Sequence, residues 1–85
     1  MTHPVVESYY HADKAVQQIE LGNLHAATRH FLLAHAYKRL HEGELELTIP
    51  FVGLMFFLED HGYPIRMFEL QQLLHEVNVW KFLPL

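Results

Sequence analysis

The chain contains no cysteine, which removes disulfides and thiolate metal ligands together. Basic residues are scarce: six Lys and Arg stand against ten Asp and Glu, a formal net charge of −4. That balance leaves no material for the basic stripe of a nucleic-acid-binding surface. Long hydrophobic runs are missing as well. The longest, IPFVGLMFFL from Ile49 to Leu58, is about half of the ~20 apolar residues that cross a bilayer. The opening MTHPVVESYYHADK has neither the basic start nor the apolar centre of a secretory signal. The expectation is a cytoplasmic protein without nucleic-acid or membrane partners.

Catalytic equipment is equally thin. Ser8 is the only serine, and the four glycines are scattered, so they cannot form a phosphate-cradling loop. The adjacent acids Glu59 and Asp60 would point different ways on a helix and do not make a catalytic pair. No enzyme activity and no cofactor is expected.

What the chain does have is apolar weight. Its 85 residues are 51% hydrophobic, yet a domain this small buries only about 60% of its unfolded surface. Without disulfides, the remaining supports are a metal or self-association.

The apolar residues recur at helical spacing, and turn signals separate them. Gly22-Asn23, Glu42-Gly43 and His61-Gly62-Tyr63-Pro64 are the strong mid-chain breaks. A first helix is expected from about Val5 to Leu21, with Val5, Tyr9, Ala12, Val16 and Ile19 along one stripe. A second runs from about Leu24 to Glu42, capped by Asn23 and stopped by Gly43. It is apolar on two faces, one of Leu24, Ala27, Phe31 and Ala34, the other of Ala26, Leu33, Tyr37 and Leu40. Two apolar faces make it the central helix. A third, from about Ile49 to Asp60, is apolar all round, with Thr48 as cap and Pro50 in its first turn. The fourth is expected from Pro64, placed at N1, to about Val79, with Leu70, Leu73, Leu74 and Val77 as its core face. ELELTI, Glu44 to Ile49, alternates briefly but has no partner strand, and reads as a loop or a frayed helix start. The fold class is therefore all-α: one domain over 1–85, a small four-helix bundle of two helical hairpins with an apolar C-terminal tail.

The stretch GNLHAATRHFLLA places Gly22, Leu24, Ala27, Phe31 and Ala34 at intervals that resemble the second helix of a tetratricopeptide repeat. The resemblance covers residues 22–37 only. In that family the glycine allows the interhelical turn, the alanines allow close packing and the aromatic fills the gap. The preceding helix departs from the pattern at His11, Lys14 and Gln18, and a second copy would require an aromatic where Gln71 stands. The resemblance implies a helical hairpin that holds another protein.

Eight histidines are the main compositional anomaly. Glu7 and His11 lie at i and i+4, which puts them on one helical face. His25, His30 and His35 are each five apart and rotate away from one another. No HxxxH or HExxH pair occurs. A zinc or other transition-metal site assembled between helices from Glu7, His11, His30, His41 and His61 is the alternative functional reading. Independently of any site, protonating all eight histidines reverses the formal charge from −4 to +4. Solubility or association is therefore expected to change between about pH 5 and 7.

The leading expectation is a non-catalytic protein–protein interaction module (adaptor, small chaperone or accessory subunit), with self-association into a homo-oligomer favoured by the apolar excess. The candidate partner-binding residues are Tyr9, Val16 and Ile19 on the first helix, Phe56 on the third, and Trp80, Phe82, Leu83 and Leu85 in the tail.

Overall fold

A computed structural model of the chain describes residues 3–43 and 49–83. Four α-helices follow one another: α1 Pro4–Glu20, α2 Leu24–His41, α3 Phe51–Asp60 and α4 Met67–Val77, with a short 3-10 turn at Val79–Lys81. No strand occurs among the described residues. The all-α bundle of hairpins expected from the periodicity is the observed fold.

Local chemistry sets the helix ends. Pro4 occupies the first position of α1, where its missing N–H costs nothing, and the His3 ring accepts from the Val5 amide at 3.2 Å. At the other end Asn23 N–H bonds the Gln18 carbonyl at 2.9 Å and Gly22 N–H that of Ile19 at 3.1 Å. This double closure is a Schellman stop, and it requires the left-handed backbone that Gly22 adopts at φ +79°. Asn23 then caps α2 by accepting from the Ala26 amide at 3.2 Å. The same closure ends α3, with Tyr63 N–H on the Leu58 carbonyl at 2.8 Å and Gly62 at φ +88°.

Two helix starts differ from expectation. α3 begins at Phe51, one residue after Pro50, while Thr48 lies outside the described residues. α4 begins at Met67 rather than Pro64, because the intervening chain is used for packing: Tyr63 and Ile65 are drawn against the core. Only beyond them does Glu69 reach back to accept from the Arg66 amide at 3.3 Å and open the helix. The brief alternation at ELELT also falls outside the described residues.

α2 is central, contacting α1, α3 and α4. Its closest partner is α1, because the facing residues are small: Ala15 is 1% exposed and Ala27 is fully buried. The Ser8 hydroxyl crosses this seam and donates to the Ala34 carbonyl at 2.9 Å. The core joins Ile19, Ala27 and Leu32 with Leu54 and Leu58 of α3, Leu70, Leu73 and Leu74 of α4, and Val79. α4 ends where Asn78 turns left-handed at φ 54°, a conformation asparagine tolerates. That turn sends Val79 inward, to 1% exposure.

One buried side chain breaks the apolar pattern. Thr28 is fully buried and its hydroxyl has no hydrogen-bond partner among the described residues. An unpaired buried hydroxyl costs ~1–3 kcal/mol, and valine has nearly the same shape. Thr28→Val is therefore expected to stabilise the fold by about 1 kcal/mol in urea denaturation. A destabilised variant would mean that the hydroxyl has a partner after all.

Candidate functional site

The α1–α2 seam carries two features, set about 100° apart around α1 because adjacent helical residues differ by that angle. Both follow from the hairpin register. Residues 8 and 34, 11 and 30, and 3 and 41 are brought together across the antiparallel hairpin that the Gly22-Asn23 turn closes.

The first feature is an apolar furrow. Ser8, Ala12, Ala15 and Val16 of α1 and Phe31, Ala34, His35 and Lys38 of α2 line it, together with Phe57 of α3. This cavity is about 320 Å³, within the range of small binding pockets. It opens as a furrow because alanine and serine line its floor, leaving the space that larger side chains would fill. Phe57 is held there by stacking on Phe31, with ring centroids 5.0 Å apart. A second depression, lined by Val5, Tyr9, His41 and Glu42, shares Ser8 and Lys38 with the first. The two depressions lie side by side along α1 from Val5 to Val16 and are together termed the trough.

The second feature is a histidine pair. Nδ1 of His11 lies 2.9 Å from Nδ1 of His30, and Nε2 of His11 lies 3.4 Å from the Glu7 carboxylate. A carboxylate only accepts, so Nε2 of His11 carries the proton shared with Glu7. His11 Nδ1 then presents a lone pair to the Nδ1–H of His30. The chain Glu7···His11···His30 is complete with both rings neutral. Tyr37 stacks parallel to His11 with centroids at 5.7 Å, and Tyr10 meets it edge-on at 5.1 Å. Burial pushes the His11 pKa down, opposed by the Glu7 carboxylate and reinforced by Arg29. Burial also lowers His30, followed by the charges of His11, Arg29 and Lys14. His35, on the furrow wall, is lowered by burial and then by Arg39 and Lys38, against the opposing Glu42. These are the signs expected when desolvation disfavours an imidazolium.

The metal set expected from sequence is not assembled. Glu7, His11 and His30 do come together, but Glu7 and His30 take different nitrogens of one imidazole, so a single ion cannot replace both contacts. His41 packs against His3 instead, with ring centroids 5.3 Å apart. His61 donates its Nδ1–H to the Phe57 carbonyl at 2.8 Å and lies against the Phe57 ring. Among the described residues no three His, Asp or Glu side chains are gathered to hold a metal ion.

The candidate partner residues divide. Tyr9 and Val16 line the trough and are exposed. Phe56 is 60% exposed on the outer side of α3. Ile19 is corrected from surface to core: it is 2% exposed, because the α1 stripe turns inward at its C-terminal end. The tail splits. Val79 and Leu83 pack on the core, whereas Trp80 is 55% exposed beside Ile49, Phe51 and His75. Phe82 is half-exposed under the Arg29 guanidinium, 4.9 Å from its ring centre. Leu85 lies outside the described residues.

Sequence reasoning missed the furrow-lining Phe57, Lys38 and His35. Lys38 and His35 were legible in principle, since they fall on the same α2 flank as Phe31. Phe57 depends on how α3 docks, which periodicity does not encode. Among the described residues no helix is long and apolar enough to cross a membrane. No protein-family model, curated protein or solved structure matches the chain.

Proposed function

We propose that the protein is a non-catalytic protein–protein interaction module that associates with copies of itself. One observation carries this reading. After the four helices have enclosed their core, Val6, Tyr9, Tyr10, Val52, Phe56, Phe68 and Trp80 each remain more than half exposed. Single exposed apolar residues are ordinary, but so many exposed aromatic residues on so small a domain, with Tyr9 lining an apolar trough, match the composition of interface centres. The α1–α2 hairpin is read as repeat-like on the strength of Gly22, Leu24, Ala27, Phe31 and Ala34. One such hairpin needs an external neighbour to cover its open face.

Sedimentation velocity across a dilution series tests the reading. The expected result is a concentration-dependent shift from monomer to a defined oligomer at neutral pH. A single monomeric species from low micromolar to near-millimolar concentration would sink it.

A further inference from the structure

The trough between α1 and α2 has a counterpart on the same molecule. The outer side of α3 carries Val52 and Phe56, 61% and 60% exposed, at i and i+4. Glu59 follows at the next turn on the same line, also exposed. Val52, Phe56 and Glu59 span about 60° of the helix circumference at 100° per residue. They form a narrow ridge of two apolar knobs followed by one carboxylate.

The trough offers the complementary order. Ala12, Ala15, Val16, Phe31 and Phe57 supply an apolar stretch, and Lys38 stands on its wall. Lys38 is exposed and makes no ion pair among the described residues. The lengths agree as well. α3, with ten residues, is about 15 Å long, and the trough from Val5 to Val16 is about 16 Å at the same rise per residue.

We infer that the trough of one molecule is filled by the α3 ridge of a second copy, with Phe56 anchored in the cavity and Glu59 paired with Lys38. This names the contact behind the self-association proposed above, and it rests on that reading. Phe57 lines the trough while its neighbour Phe56 stands on the ridge, so donor and acceptor surfaces adjoin on each molecule. A two-fold axis at that boundary lets both ridges dock at once and closes the assembly as a dimer. An isologous contact also leaves no free trough for a third copy. The short ion pair sets register, while the aromatic anchor carries most of the affinity.

The test uses the full chain and compares dissociation constants by sedimentation. Phe56→Glu is expected to weaken the dimer by ~30-fold or more, the loss typical of a buried aromatic anchor. Its helical circular dichroism should stay unchanged, because Phe56 supports no core contact. Val52→Lys provides an independent check on the same ridge. Lys38→Glu alone should weaken association about five- to tenfold, and adding Glu59→Lys should recover most of that loss. Wild-type association that survives both Phe56→Glu and Val52→Lys unchanged would overturn the ridge-in-trough contact and leave the self-association reading standing. A monomeric wild type would overturn both.

Discussion

Leu58→Ala is expected to remove a large part of the stability of the protein. Leu58 is fully buried, at the centre of the cluster that joins α3 to α2, α4 and Val79. Truncating such a leucine costs about 2–5 kcal/mol, from lost transfer energy and from the cavity left behind. A chain of 85 residues holds only ~4–13 kcal/mol in total at ordinary stability per residue. The backbone closure at the end of α3 survives, since the Leu58 carbonyl that accepts from Tyr63 is retained. Urea titration followed by helical circular dichroism should show a midpoint lowered in proportion, by about a third or more of its wild-type value, with little change in slope. A loss under about 1 kcal/mol would mean that α3 is not packed into the core as described. Phe56→Ala, only two residues away but 60% exposed on the opposite side of α3, should have little effect on the monomer and provides the contrast.

The second large effect is acid destabilisation. The Nδ1–Nδ1 contact of 2.9 Å between His11 and His30 holds only one proton. The first proton added to the pair goes to the outer nitrogen of His30 and leaves the bridge intact. A second would place two N–H groups face to face. Both rings, and His35, are held below the ordinary imidazole value of about 6.5, chiefly by burial. The sign follows directly: the folded state binds fewer protons than the unfolded one. The full stabilisation is therefore present above about pH 6.5 and is lost as pH falls through the lowered folded-state values. Glu7, on the far nitrogen of His11, moderates the effect, whereas Arg29 and Lys14 strengthen it.

Loss of the cross-helix bond is worth on the order of 1–2 kcal/mol, or roughly 5–10 °C in Tm for a domain of this size. Thermal melts at pH 7.5 and pH 5 should show that drop. In the doubly substituted His11→Gln, His30→Gln chain, at least half of it should disappear. An equal drop in wild type and variant would assign the acid sensitivity to other groups. NMR titration of the ring protons gives a second check, because the pair should titrate in two separated steps rather than one.

These two effects differ in how far the sequence announced them. Leu58 was placed within an apolar helix without any indication of which side faced inward, because α3 is apolar all round. The His11–Glu7 contact was visible as an i, i+4 pair, but the partner on the other nitrogen was not. It became legible only once the Gly22-Asn23 turn fixed the antiparallel register of α1 and α2. Reflection across that turn alone pairs His11 with Ala34 and Ser8 with Tyr37; the observed contacts to His30 and Ala34 lie three to four residues off it, an offset set by how the two helices rotate and slide against each other. The misplaced start of α4 has a similar origin. Pro64 is a good first helical residue in isolation, yet burying Tyr63 and Ile65 outweighed that preference. Asn78 carried a weak stop signal, and reading it would have turned Val79 into the core.

By itself the sequence determined the all-α class, the four helices and the glycines that end the first three of them, because those depend on spacing and on backbone freedom within a few residues. It also determined that apolar surface would remain, since 85 residues cannot enclose a chain that is 51% hydrophobic. Tertiary structure alone decided which residues that surface comprises. It sent Ile19 and Val79 inward, left Val52, Phe56 and Trp80 outside, and set Glu7, His11 and His30 in a row unsuited to a metal. The reason is geometric. A helix rotates its side chains in a known order, but how far each helix turns about its own axis is fixed only by packing against its neighbours.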